Sequence, residues 1–318
     1  HDLCLIRAQI THYFLKMNPD ELRSKLPQLL LLTCVLATAA ITIFFIAFIF
    51  KTALPVFEIE GLGFITGTKW SYTEQVYGIR IFIIGTLVMT AVTLALAVPV
   101  SVFTAIFLSE FAPAPVAAIM RPMVELLVGI PSVVYGIFGL FVLENIFQDY
   151  IDPFLSGTLG FIPFFSDPSP NSGTGVLLAS TILAVMILPT IIALSEDALR
   201  AVPFEYKEAS FALGATHWET IRKVVLPTAS GGILAATVLG MMRAMGETMA
   251  IVMLLGNSAH IPSSVLDTGY AMTSKILNDI GYYCAMDEPR SALFGIAAVL
   301  FAMEIIFVAA ARKIGGKL

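Results

Sequence analysis

Two stretches of this chain, residues 29–50 and 81–108, contain no Asp, Glu, Lys or Arg at all. Each is long enough to cross the ~30 Å hydrocarbon layer of a bilayer as a helix, which takes about 20 apolar residues. Four further runs of similar character follow at 123–147, 174–195, 231–255 and 291–311. Main-chain polar groups in lipid must be satisfied within the spanning structure, and runs of this length fit helices rather than the ~10-residue strands of a barrel. The sequence therefore predicts an all-α integral membrane protein with six transmembrane helices. The 81–108 run is longer than a perpendicular crossing needs, so it tilts or projects past the bilayer. Composition agrees: 58% of the 318 residues are hydrophobic and 13% are charged, against about 25% charged in an ordinary soluble domain. That leaves too little polar surface to cover a core in water. Disorder, collagen and a disulfide-stapled fold are excluded by the same figures.

The chain begins at His1 rather than Met, and its first few residues carry no weight here. No cleavable leader is expected, because the first apolar run lacks a small-residue cleavage pattern. Net charge is −5, but the distribution of basic residues says more than the total. Segments 1–28, 109–122, 196–230 and 312–318 hold 12 Lys and Arg, and 51–80, 148–173 and 256–290 hold 5. The positive-inside rule then puts the first set, with both termini, in the cytoplasm. The expected organisation is a cytoplasmic tail (1–28), a first transmembrane helix with its outer loop (29–80), a transmembrane core (81–311) carrying the cytoplasmic loop 196–230, and a second tail (312–318). The outer loops are turn-rich, with Pro163, Asp167, Pro168, Pro170, Asn171 and Gly173 in one and Asn257, Pro262, Ser263, Ser264 and Gly269 in another. Met272, Ile276 and Ile280 are spaced for a short surface helix over 270–280.

Loop 196–230 carries dense helix punctuation. Pro203 and Glu205 suit a first helical turn, and Gly214 suits a left-handed helix end. Thr216 with Glu219 forms a capping box for a second helix, and Pro227 is expected to end it. Punctuation alone fits a rigid docking knob and an amphipathic connector lying on lipid headgroups equally well.

Within that loop, Glu208-Ala209-Ser210, then Gly214, then Val224-x-Leu226-Pro227 resembles the EAA loop of ABC-importer permeases. Ser210 and Val224 are mild departures from that pattern. Gly129-Ile130-Pro131-Ser132-Val133-Val134-Tyr135-Gly136, Arg243-Ala244-Met245-Gly246-Glu247-Thr248-Met249-Ala250, Leu255-Gly256-Asn257 and Ile261-Pro262-Ser263-Ser264 resemble the permeases of phosphate-specific ABC importers, of the PstC type. The resemblance covers most of 80–311. It implies the type I (MetI-like) ABC importer permease fold, an inner-membrane location, and inorganic phosphate as substrate. It also implies a second permease subunit (PstA type), two copies of an ATPase (PstB type) that carries the ATP and Mg, and an external phosphate-binding protein (PstS type). Glu208, Ala209, Gly214, Leu226 and Pro227 become the candidate ATPase-coupling residues. No GxxxxGK[ST] pattern occurs in this sequence, in keeping with ATP hydrolysis on another chain.

Arg243 and Glu247 fall inside the fifth apolar run, four residues apart, a spacing that puts them on one helix face. A charge at that depth costs roughly 3 kcal/mol, so it must face a cavity or a partner. Two readings stand: an Arg–Glu pair satisfying itself, and an arginine that binds an oxyanion through its forked donors. In the second, Glu247 accepts the proton that phosphate keeps and sulfate lacks, which penalises the wrong ligand. Thr248 adjoins them. Pro131 and its flanking glycines break helix regularity in the third run and free a carbonyl. Ser132 and Tyr135 then offer hydroxyls to the path, or the proline simply kinks the helix; Pro189 reads as a kink. Glu125, Glu144 and Glu304 lie near span ends, where a solvated or paired role is expected. Three scattered cysteines and four histidines form no metal spacing, and no catalytic constellation or cofactor site is expected. Alternatives are a permease for sulfate or molybdate, and a membrane phosphate-sensing subunit.

Overall fold

The computed structural model describes residues 19–166 and 172–315. Most of the expected N-terminal tail, the loop residues Asp167, Pro168, Pro170 and Asn171, and the last three residues lie outside it, as do Cys4, His1 and His12. The chain divides into two compact units at Thr52. In the first, residues 19–52 belong to α1, a helix over Pro19–Glu60 whose side chains from Leu29 to Phe50 are uncharged, largely apolar and mostly exposed.

The second unit begins with the end of α1 and the short α2 (Gly63–Thr66). A two-stranded antiparallel hairpin follows, β1 (Trp70–Ser71) against β2 (Val76–Tyr77). Next come α3 (Arg80–Ile106), α4 (Ala114–Val128), α5 (Ser132–Phe138, prolonged through π-turns to Leu159) and α6 (Val176–Arg200). Loop 196–230 supplies α7 (Phe204–Ala212) and α8 (His217–Thr220). They lead into α9 (Leu226–Gly246), α10 (Met249–Leu254), α11 (Met272–Tyr283) and α12 (Asp287–Gly315). Among the described residues five helices are long and apolar enough to cross a membrane, and six spans result if the bent pair α4 and α5 counts as one.

Helices in lipid gain little from burying apolar surface, so close packing and interhelical hydrogen bonds hold them together. α3 and α6 form the central pair. Ser180 on α6 donates its hydroxyl to the Met89 carbonyl of α3 at 3.1 Å. Ile182, Leu183, Ile187 and Ile191 fill the middle with Met89, Ala236 and Leu254. Phe64, Tyr77, Phe82, Tyr270 and Ile296 close one end of the bundle. Ile106, Leu199, Ile221 and Val225 close the other, where loop 196–230 lies. At Gly85 the Tyr270 carbonyl comes so close that an added Cβ would sit 2.2 Å from its oxygen.

Three expectations need correction. The 123–147 run is not one straight helix: the chain bends by 91° between α4 and α5, because Pro131 cannot continue the first helix. Pro227 does not end the loop's second helix. Residues Ile221–Val225 form a π-turn and the helix runs on, so that His217–Gly246 is one 30-residue span. The wider turn accommodates the proline's missing N–H. The 270–280 segment is helical, but Met272, Thr273, Ser274 and Lys275 are buried in the fold rather than laid on a surface.

Candidate functional site

α9 stops at Gly246, and the chain crosses Glu247 and Thr248 in non-helical geometry before α10 begins. Glycine is a poor helix residue, and the Glu247 carboxylate offers the main chain an alternative. Its Oε1 accepts from the amides of Met249 at 3.1 Å and Ala250 at 3.4 Å, satisfying two donors at the start of α10. Thr273 on α11 donates to the Glu247 carbonyl at 2.8 Å, and Thr248 donates to the Gly246 carbonyl at 3.3 Å. The expectation that Arg243 and Glu247 share a helix face is therefore corrected: Glu247 lies beyond the helix end. Among the described residues they form no ion pair.

Arg243 instead donates from Nη1 to the Thr190 hydroxyl of α6 at 3.1 Å. Thr190 was not anticipated, although its position beside the in-helix Pro189 is the kind of irregularity that marks such a contact. Arg243 is half-buried and has no carboxylate partner among the described residues. It lies within electrostatic range of the Tyr135 phenol.

The second helix break faces the first. Pro131 starts α5 at φ −59° and ψ 141°, and Ser132 follows, half-buried. Tyr135 is 8% exposed and donates its hydroxyl back across the bend to the Leu127 carbonyl of α4 at 3.0 Å. Gly136 then lies against α10, where an added Cβ would meet Met253 Sδ at 2.8 Å and Ala250 Cα at 3.2 Å. Two interrupted helices thus meet at mid-bundle, with Arg243 beside them. Broken helices at membrane depth are tolerated where protein or a water-filled cavity takes up the freed groups.

Glu304 also belongs to this region. It lies well inside α12, seventeen residues from the start and eleven from the end, rather than near a span end. Its Oε1 lies 4.0 Å from where a Cβ on Gly246 would stand. Glu144, expected near a span end, lies between two π-turns in the helix that continues α5.

At the end of the bundle where loop 196–230 lies, α7 and α8 form a helix–turn–helix. Gly214 takes φ +83°, a left-handed geometry that side chains resist, and donates to the Phe211 carbonyl at 2.9 Å. The Thr216–Glu219 capping box is complete. Ser210 and Thr220 hydroxyls meet at 2.9 Å across the two helices. Lys207 ties the knob to the end of α3's extension through Glu110 at 2.7 Å. Buried Glu196 accepts from Arg121 at 2.8 Å, pinning α4 to α6 nearby, and forms an ion pair with Arg200 at 3.0 Å. Glu208 and Ala209 are exposed, as are Phe204, Trp218 and Leu213, the last to 90%. Leu226 and Pro227 sit where the knob passes into α9.

At the opposite end of the bundle lies a buried cation that no motif or spacing marks. Lys275 on α11 is 8% exposed, 2.6 Å from Asp279. It stands over the rings of Trp70 at 4.8 Å, Phe82 at 5.4 Å, and Tyr72 and Tyr270 at 5.5 Å. Tyr72 also donates to Asp279 and stacks on Tyr283. Burial, reinforced by that hydrogen bond, pushes the Tyr72 phenol far above the ordinary tyrosine range, so it remains a donor at physiological pH. Among the described residues no group of three or more His, Cys, Asp or Glu is placed to hold a metal.

A multi-span bundle with opposed helix breaks and a capped helical knob at one end is the architecture of a permease. The chain belongs to the family of binding-protein-dependent transport system inner membrane components, whose sequence profile matches residues 97–314. Within it the chain groups with the PstC type. The phosphate transport system permease protein PstC of Xylella fastidiosa is 37% identical over 257 residues, covering 80% of this chain and 79% of that one. The probable ABC transporter permease protein YqgH of Bacillus subtilis is 36% identical over 305 residues, covering 94% and 92%. A crystal structure of a bacterial alginate ABC transporter, in complex with its pentasaccharide-bound periplasmic protein, shares the fold. Its TM-score is 0.54 at 18% identity, covering 92% of this chain and 96% of that one.

Proposed function

We propose that this chain is the permease subunit that carries inorganic phosphate into the cytoplasm, working by alternating access and driven by a separate ATPase. The observation that carries the reading is Arg243. It is a guanidinium at mid-bundle, beside two facing helix breaks, held by a hydroxyl and by no carboxylate among the described residues. Such a group keeps its forked donors for an anion. The names borne by the 35–37% identical relatives support phosphate as that anion.

In this reading Arg243 holds the anion through its donors, and Thr190 positions it. Pro131, Ser132 and Tyr135 shape the facing wall, with Tyr135 bracing the bend. Glu247 and Thr248 keep the break in α9 open. Loop 196–230 lies on the cytoplasmic side with both termini, following the distribution of Lys and Arg. Glu208, Ala209 and Gly214, with Leu213 at the tip, enter a groove on the ATPase, which itself holds ATP and Mg. The full assembly has a PstA-type second permease, two PstB-type ATPases and an external PstS-type binding protein, in the inner membrane. Closure of the ATPase pair displaces the knob, and the continuous helix from His217 to Gly246 carries that displacement to Arg243.

The test is uptake of radiolabelled phosphate by proteoliposomes carrying this chain with those partners, with and without ATP. Wild type should accumulate phosphate only with ATP, and Arg243→Ala should lose at least about tenfold, the scale of a hydrogen bond to a charged group. Uptake kept in the variant removes Arg243 from the path. Uptake of sulfate or molybdate in place of phosphate assigns the subunit to another oxyanion.

A further inference from the structure

We propose that Glu304, and not Glu247, is the carboxylate by which the substrate path tells phosphate from sulfate; the proposal rests on the phosphate-importer reading above. Glu304 lies mid-helix in a span and makes no hydrogen bond or ion pair among the described residues. A carboxyl at that depth costs about 3 kcal/mol on insertion scales and is not left against lipid, so it faces a cavity or a partner chain. Its nearest neighbour on α9 favours the substrate path. Glu304 Oε1 comes within 4.0 Å of a Cβ placed on Gly246, and Gly246 stands three residues beyond Arg243 on α9, a rise of about 4.5 Å. The carboxyl therefore flanks the helix break at Gly246, where the helix that carries Arg243 ends.

The other charged groups around it are already engaged or carry the opposite sign. Glu247 has Oε1 on the amides of Met249 and Ala250, which offsets its charge. On α11, which also packs on α12, Lys275 and Asp279 pair with each other. Arg243 is the cation left to hold the anion, and Glu304 the carboxylate left to read it. Phosphate near neutral pH keeps at least one P–OH proton and donates it to the Glu304 oxygen while Arg243 binds its unprotonated oxygens. Sulfate has no such proton and sets a bare oxygen against the carboxylate. Rejection arises from that unpaired repulsion, a way of gaining specificity by penalising the wrong ligand.

The external binding protein selects its own ligand, so the experiment omits it. The permease pair with its ATPases is placed in nanodiscs, and thermal unfolding is followed with added inorganic phosphate or sulfate at matched ionic strength. Ligand that binds only the folded state raises the midpoint. Wild type should be stabilised by phosphate and not by sulfate, E304Q by both to a similar extent, and E304D like wild type. E304Q or E304M that assembles and still prefers phosphate overturns the proposal, as does a wild-type complex that transports phosphate yet responds equally to both anions. Failure of both variants to assemble while E304D is intact assigns the carboxyl to the scaffold and also overturns it. A wild type that moves no phosphate in the uptake assay removes the importer reading itself, a result separate from all of these.

Discussion

Lys275→Met removes the cation from the aromatic box while keeping an unbranched chain of similar length, so the loss falls on electrostatics rather than volume. The side chains of Lys275 and Asp279 are only 10% and 13% exposed, with the ammonium 2.6 Å from the carboxylate. Breaking such a pair strands a charge in low dielectric and costs about 3–5 kcal/mol. The ring contacts add about 2 kcal/mol where the cation is desolvated, though the two terms share one ammonium and do not sum. Tyr72 still donates to Asp279, which offsets part of the loss. The expected cost is about 3 kcal/mol. For a domain of this size that lowers the thermal midpoint by about 6–12 °C. The assay is thermal unfolding of the purified chain in detergent, run as a double-mutant cycle with Asp279→Leu. The double variant should be less destabilised than the two single losses together, because it removes both charges. A Lys275→Met midpoint within about 1 °C of wild type, or additive losses in the cycle, refutes the view that the pair and its rings lock the hairpin to α11.

Two further substitutions test geometry. Gly214→Pro cannot adopt φ +83° and loses the amide that donates to Phe211. The chain should insert in the membrane normally while ATP-driven phosphate uptake falls at least about tenfold, the loss the knob reading requires; normal uptake refutes the docking role. Gly85→Ala places a Cβ 2.2 Å from the Tyr270 carbonyl oxygen, so α3 or the 270 segment must shift at a cost of about 1–3 kcal/mol. Its thermal midpoint should drop by several degrees, and an unchanged midpoint disproves the close approach.

How far the sequence could be read depended on whether a feature was local. Charge-free runs declare helices in lipid because the cost of charge there is large for every residue counted. The Thr216–Glu219 box and Gly214 were legible for the same reason: their partners lie within four residues. The end of α9 was not, since the apolar run resumes beyond Gly246-Glu247-Thr248 as if the helix continued, while the helix does not. Only the Glu247 side chain, turning to cap α10, decides that the helix stops. Pro227 misled in the opposite direction, because a proline usually ends a helix and here a π-turn absorbs it. Lys275 was invisible because its box is drawn from Trp70, Tyr72, Phe82 and Tyr270 in separate segments. Glu304 was misplaced because an apolar window trims a helix to its hydrophobic part, whereas α12 runs from Asp287 to Gly315.

The two ends of the candidate machinery are joined by a single element. From His217 to Gly246 the chain is helical without a gap, 30 residues or about 45 Å of rise. In the proposed cycle this helix carries movement of α8 toward Arg243. It can yield at the π-turn over Ile221–Val225, where the hydrogen-bond ladder is widened, and at Gly246, where it ends. Arg243 sits three residues inside the second of these points, held to α6 by one 3.1 Å bond from Nη1 to Thr190. In the proposed cycle one neutral acceptor, at about 1.5–3 kcal/mol for a bond to a charged group, is a weak enough tether for an anion to replace. A salt bridge to Glu247, as the sequence spacing suggested, would have held the arginine more firmly and occupied its donors. The helix break that takes Glu247 off the face of α9 is therefore what leaves Arg243 available.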